Sequence, residues 1–158
     1  MATTALEEAA APVRARAHPF VPRLLSWLLP GLGHFYLGRK GRAGAFFLVV
    51  MTAFLLGLAS DGASSLIDSR QPLSYLATFD NLAMGPLDLV GRYRTYQQVV
   101  YQLPPDEVDP RYVELTRRLR DHVRSPTYEY GSTFLLTAGL MNILLILDAF
   151  DIATGRKD

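Results

Sequence analysis

The sequence predicts an all-α integral membrane protein. Its parts are a helical hairpin whose first helix is short and Pro-Gly broken, a C-terminal transmembrane helix, and a helical extramembrane insertion between them. Three observations carry this prediction. Ala43 to Ser60 runs for 18 residues, and Gly131 to Leu147 for 17, without Asp, Glu, Lys, Arg or His. A hydrocarbon core of ~30 Å takes about 20 helical residues, so both runs qualify as spans. Neither run has the polar stripe that a soluble helix turns to water. Finally, Arg39, Lys40 and Arg42 precede the first run and Arg156 and Lys157 follow the last, an arrangement that marks the cytoplasmic side of a membrane.

Bulk composition is less telling than the distribution of charge. The 158 residues are 49% hydrophobic and 20% charged, average values for a globular protein. A net charge of +1 gives no electrostatic basis for binding nucleic acid. The chain has no cysteine, which excludes disulfides, thiolate metal sites and cysteine nucleophiles.

In chain order, residues 1–18 are Ala-rich, acidic before they are basic, and end among prolines, and they are expected to form a disordered tail. Residues 19–60 form the hairpin with its "PGLGHFYLG" motif. Its first segment, Leu24 to Gly38, carries no charge-bearing residue except His34, yet its 15 residues reach only about 22 Å. Pro30 and Gly31 break it near the middle. It either spans, with Arg23 and Arg39 snorkelling to opposite interfaces, or dips in and returns as a re-entrant element. The basic knot "GRKGRAG" is an interfacial turn in which Gly38 and Gly41 permit a tight bend. Gly31, Gly33 and Gly44 join them as small residues that let helices approach closely, and Tyr36 belongs near the interface.

Residues 61–129 form the insertion, with ten acidic and eight basic residues and no lysine, and are expected on the non-cytoplasmic side. Leu73, Leu76, Phe79, Leu82 and Ala83 recur at spacings of three and four before Gly85-Pro86, which predicts an amphipathic helix. That helix lies on the membrane surface or packs within its own small domain. A second helix starts at Asp109-Pro110, buries Tyr112, Leu115, Leu119 and Val123, and stops at Ser125-Pro126. Its charged face "RRLRDHVR" is expected to be solvated, with lipid phosphate as the other option. Residues 130–158 are the last span and a short basic tail.

The stretch "PGLGHFYLGRKGRAG" resembles the signature of the two-transmembrane-helix (TM-two-like) domain superfamily. There a Gly-rich helix ending in Phe-Tyr-x-Gly leads through a short basic turn into a second membrane helix. Together with the closing "YGSTFLLTAGLMNILLILDAFDIATGRK", it resembles an uncharacterised bacterial membrane-protein family known by a domain-of-unknown-function label. The third span and the long insertion after Ser60 depart from the simple two-helix pattern. The resemblance implies a membrane location and brings no activity with it.

Few residues offer chemistry. His34 is the one ionisable group in the first apolar segment, and intramembrane ionisable groups are functional candidates. Its simpler role is a hydrogen bond to a neighbouring helix, with Asn142 as the expected partner. Asp148 and Asp151 share a helix face at the cytoplasmic end of the last span. They suit a charge clasp to Arg39, Lys40 or Arg42, or alternatively acid–base work or a divalent cation. The sequence contains no Gly-rich phosphate loop, Ser-His-Asp set or His-rich metal spacing.

The function expected is therefore non-enzymatic and cofactor-free. The chain would be a small scaffold or accessory subunit of the bacterial inner membrane with a cytoplasmic C-terminus, whose partners are the lipid bilayer and other membrane subunits or a second copy. A small channel or transport component, with His34, Asn142, Asp148 and Asp151 along a polar path, is the alternative, and a membrane enzyme using the two carboxylates is a third. Whether those four side chains meet around water or are each paired separates them.

Overall fold

The structure is a computed structural model that describes residues 18–157, so the tail expected over residues 1–18 lies outside the described residues apart from His18. Among the described residues the chain forms seven helices: α1 (Phe20–Leu28), α2 (Leu32–Tyr36), α3 (Lys40–Ala59), α4 (Leu73–Leu82), α5 (Pro86–Tyr96), α6 (Pro110–Val123) and α7 (Tyr128–Ala153). Extended pairing among them is one isolated parallel bridge between Ile67 and Gln102. Two helices, α3 and α7, are long and apolar enough to cross a membrane.

Most of their apolar surface is left uncovered by the rest of the described chain. Only 28% of the apolar window of α3 and 33% of that of α7 is buried inside the chain, where the core helix of a soluble protein would be mostly buried. The inward face of α7 includes Gly131, Ala138, Gly139, Asn142 and Ala149, whereas Leu140, Leu144 and Leu147 face outward. Small and polar groups inside with large apolar groups outside is the order expected where lipid supplies no hydrophobic drive between helices. Val50 and Phe54 of α3 meet Leu135, Ala138 and Leu145 of α7, and Met84 from the α4–α5 link completes this buried cluster.

The first apolar segment folds back on itself. α1 and α2 are only 9 and 5 residues long, joined through Gly31, which adopts a left-handed conformation with φ 83°. A Cβ at Gly31 would stand 2.5 Å from the Ala43 carbonyl oxygen, so neither the dihedral nor the space admits another residue. The two ends of the segment meet the same end of α7. The Arg23 guanidinium lies 3.4 Å from the centre of the Phe150 ring, and His34 bonds Asp148. Between them, Trp27 reaches the Leu82 carbonyl, one residue before the Ala83 carbonyl that Asn142 holds. The segment thus runs along about two helical turns of α7 and folds back. Leu24 to Gly38 is therefore two short helices folded back at Pro30-Gly31 and not one continuous helix, the arrangement that a re-entrant element requires.

In the insertion the two predicted amphipathic helices behave oppositely. α6 starts as its sequence predicts, with Asp109 Oδ1 accepting from Arg111 N–H at 2.7 Å and Pro110 in the first turn. It buries Leu115 with Leu66 and Tyr96, while Leu119 packs alongside. Val123, expected in the same stripe, is exposed because α6 ends there and the following chain is tied to Asp61 through His122 and Ser125. α4 is inverted. Its apolar stripe, Leu73, Leu76, Phe79 and Leu82, is exposed, and Thr78, Asp80 and Asn81 are buried. α5 repeats the pattern, with Leu89, Val90 and Tyr93 outside and Asp88, Arg92 and Thr95 inside.

Candidate functional site

The polar side chains within the apolar segments are the candidates, and two of them meet at the C-terminal end of α7. The fold-back of α2 carries His34 inward, where it is fully buried. Its Nε2 lies 2.8 Å from Asp148 Oδ2, so the ring donates to the carboxylate. The expected partner of His34 was Asn142, and this is corrected. Asn142 lies six residues earlier on α7 and donates instead to the Ala83 carbonyl at 2.7 Å. The His34 ring packs edge-on against Phe46, 5.0 Å between centroids, and its Nδ1 is buried without a partner. One nitrogen is thus committed to a carboxylate, and the other is buried.

The carboxylate clasp has other partners than the basic turn. Asp148 Oδ1 is met by Lys157 Nζ, and Asp151 stands 4.0 Å from Arg156 Nη1. The tail that follows α7 turns at Gly155 and returns these cations to the helix end, a shorter route than the turn at Arg39, Lys40 and Arg42. Arg39 caps α3, with its N–H on the His34 carbonyl at 2.9 Å, and Lys40 Nζ lies 5.9 Å from the centre of the Phe35 ring. Arg42 is exposed on the first turn of α3. Pro30 and Gly33 are buried, and a Cβ at Gly33 would stand 2.3 Å from the Pro22 carbonyl oxygen, so α1 and α2 touch there. Tyr36 is exposed. At Gly38, Gly41 and Gly44 an added Cβ meets no described atom within 4 Å, so no close approach among the described residues requires those three glycines. Gly38 is instead used for its φ of 80°.

The clasp is testable by a double-mutant cycle on unfolding in detergent. His34→Leu and Asp148→Asn are each expected to cost on the order of 1 kcal/mol, the scale of interhelical hydrogen bonds in membranes. Their combination should fall short of the sum by at least about 0.5 kcal/mol, while His34→Leu with Asp151→Asn should be additive. Additivity in the first pair would show that the ring and the carboxylate do not interact.

A second polar centre escaped the sequence. Arg92 is fully buried on α5, and its Nε donates to Asp88 Oδ2 at 2.7 Å. Its Nη1 donates to the carbonyls of Ser65 at 2.9 Å and Val100 at 2.8 Å, and its guanidinium centre lies 4.0 Å from the centre of the Tyr101 ring. Tyr96 O–H donates to the Ser64 carbonyl at 2.6 Å. Together they fix the buried 62–66 loop, whose Ser65 N–H donates to Asn81 Oδ1. The available signal was the four-residue spacing of Asp88 and Arg92. Glu114 and Arg118 on α6 show that same spacing at the surface, where the bond from Arg118 holds the Glu114 carboxyl below its ordinary range.

Asp80 is the third buried polar group, packed against Gly139 with neither carboxylate oxygen bonded. A buried carboxylate with neither a donor nor a counter-charge is costly. Asp80→Asn is therefore expected to leave thermal stability at pH 8 unchanged or higher. A loss beyond about 1 kcal/mol would mean that a charged Asp80 is bound by a partner. Among the described residues no group of three or more His, Asp or Glu side chains stands together that would hold a metal ion.

Residues 21–158 match the model of a family of unknown function, DUF6677. No curated protein and no solved structure matches the chain. The match extends from α1 to the end of the chain, and the chain belongs to this family.

Proposed function

We propose that this member of a family of unknown function is a small, non-enzymatic integral membrane protein of the bacterial inner membrane, a scaffold or accessory subunit that packs against a larger membrane complex or a second copy of itself. The observation that supports it is the pairing of the polar side chains along the C-terminal half of α7 and of His34 beside them. His34, Asp148 and Asp151 are each held by a partner within the chain, and Asn142 by a backbone carbonyl. A channel lining would leave such groups turned to water, whereas the crevice beside Leu58 and Tyr93 and the one beside Trp27 and Phe79 are walled almost wholly by apolar side chains. The resemblance of "PGLGHFYLGRKGRAG" to the TM-two-like superfamily supports the same class.

Orientation follows from charge. Arg23, the Arg39–Arg42 turn, Arg156 and Lys157 gather toward the C-terminal end of α7, so that end faces the cytoplasm and α6 lies on the other side. The test is reconstitution into liposomes with a paired flux measurement. The scaffold role predicts proton and cation leak equal to that of protein-free vesicles. A leak abolished by His34→Asn in a protein that remains folded and inserted would replace it with the transport role. Purification from native membranes should retain a stoichiometric membrane partner or a second copy.

A further inference from the structure

The apolar stripes of α4 and α5 point away from the protein, and their placement along α7 says what they meet. The α4–α5 link lies against the middle of α7. Asn142 donates to the Ala83 carbonyl, and a Cβ at Gly139 would stand 2.4 Å from the Asp80 carbonyl oxygen. Gly139 is near the midpoint of Tyr128–Ala153. If α7 crosses a bilayer, this link lies near its centre, deep inside a core of ~30 Å.

A break in helical structure at that depth must have its freed backbone groups satisfied by protein. The break at Ala83–Gly85 meets this requirement. The Leu82 carbonyl accepts from Trp27 Nε1 at 3.0 Å and the Ala83 carbonyl from Asn142 Nδ2. The N–H groups of Ala83, Met84 and Gly85 return to carbonyls of α4, and those of Leu87 and Asp88 close on Met84 and Gly85.

Length agrees with depth. α4 and α5, at 10 and 11 residues, reach about 15 to 16 Å each, half of the hydrocarbon thickness. Their outer ends are polar, "DSRQP" before α4 and "RYRTYQQ" closing α5, while the joining end is "NLAMGPL". Near its outer end, α5 places Tyr93 and Arg94 beside Leu58 at the end of α3, the level at which aromatic and long cationic side chains sit in an interface. Phe79 and Leu82 border the same apolar crevice as Ile143, Ile146 and Leu147, so the outward face of α4 continues that of α7.

We infer that α4 and α5 form a re-entrant element that dips into the bilayer from the face opposite the basic turn, meets the α1–α2 element at Trp27, and contacts lipid acyl chains through Leu73, Leu76, Phe79 and Val90. The inference rests on α7 spanning the membrane. It accounts for the inverted burial, because Thr78, Asp80 and Asn81 avoid lipid only by facing α7 and the 62–66 loop. It also divides the insertion: residues 73–96 belong to the bilayer, and α6 stands in water.

The absence of native cysteine permits direct spin labelling. Single cysteines at Leu76, Phe79 and Val90, with Leu144 on α7 and Val113 on α6 as references, are labelled in phosphatidylcholine–phosphatidylglycerol vesicles. Each is read for collision with oxygen, which concentrates in acyl chains, and with a water-soluble nickel chelate. The three test sites should follow Leu144, oxygen-accessible and nickel-protected, and Val113 should show the reverse. Nickel access at Leu76 and Phe79 with Leu144 protected overturns the re-entrant element and leaves the spanning helix intact. Nickel access at Leu144 as well overturns both. Protection from both reagents at the test sites means that protein covers this face, which overturns the lipid contact. In the unmodified protein, Trp27 is the single tryptophan, and its fluorescence should be quenched more by lipids brominated deep in the chain than near the headgroup. Stronger quenching from the headgroup side would place the meeting point at the surface and contradict the inference.

Discussion

Replacing Arg92 by Met is expected to destabilise the folded protein by about 3–5 kcal/mol, the range seen when one partner of a buried ion pair is removed. Arg92 and Asp88 are 0% and 1% exposed, so the remaining carboxylate would have no water to turn to. The Ser65 and Val100 carbonyls would lose their donor at the same time. Arg92→Lys should recover only part of the loss, because a single ammonium cannot reproduce a planar fork that reaches a carboxylate and two carbonyls. Arg92→Met combined with Asp88→Leu should be more stable than Arg92→Met alone, since the stranded charge is gone. Unfolding in detergent, followed by circular dichroism, checks all three. A loss under about 1 kcal/mol for Arg92→Met would show that the 62–66 loop is held by other contacts.

Gly85→Ala carries the second large effect. Gly85 adopts φ 60°, ψ −133°, a region open essentially to glycine alone, and a Cβ there would stand 2.1 Å from the Trp27 carbonyl oxygen. Strain and overpacking each contribute about 1–3 kcal/mol. The chain can relieve the clash only by parting the α4–α5 link from α1, so the Trp27 bond to Leu82 should be lost as well. The expected result is a fall in unfolding temperature with a shift in tryptophan emission. Gly41→Ala is the control, since its Cβ meets no described atom, and it should leave both readouts near native. Equal effects at the two positions would remove the case for a tight contact at Gly85.

What the sequence displayed and what it concealed differ in kind. The helices α3 and α7 were legible because each is a long charge-free run, and α6 because Asp109-Pro110 is a local start signal. Leu24 to Gly38 stayed open between spanning and re-entrant because its length lies between the two cases. Periodicity located the stripe of α4 correctly, but a spacing of three and four does not say which side faces the protein, and only the contacts of Asp80 with Gly139 and of Asn81 with Ser65 decide that. His34 and Asp148 are 114 positions apart, so their pairing is a property of the α1–α2 fold-back and not of any motif. Asp148 and Asp151 did mark a charged end of the last helix. The cations that reach them come from the nearer tail, because Gly155 turns the chain back upon α7.

The central claim is that the chain crosses a bilayer twice, through α3 and α7, with α1–α2 dipping in and returning. Sidedness of single cysteines in intact cells tests it most directly, using an impermeant thiol reagent before and after the membrane is opened. The account predicts that cysteines at His18, Lys40 and Lys157 share one side, protected in intact cells and labelled once the membrane is opened, and that one at Val113 on α6 is labelled from outside. A cysteine at His18 labelled together with Val113 would mean that the first segment crosses. All four positions on one side would mean that neither α3 nor α7 spans.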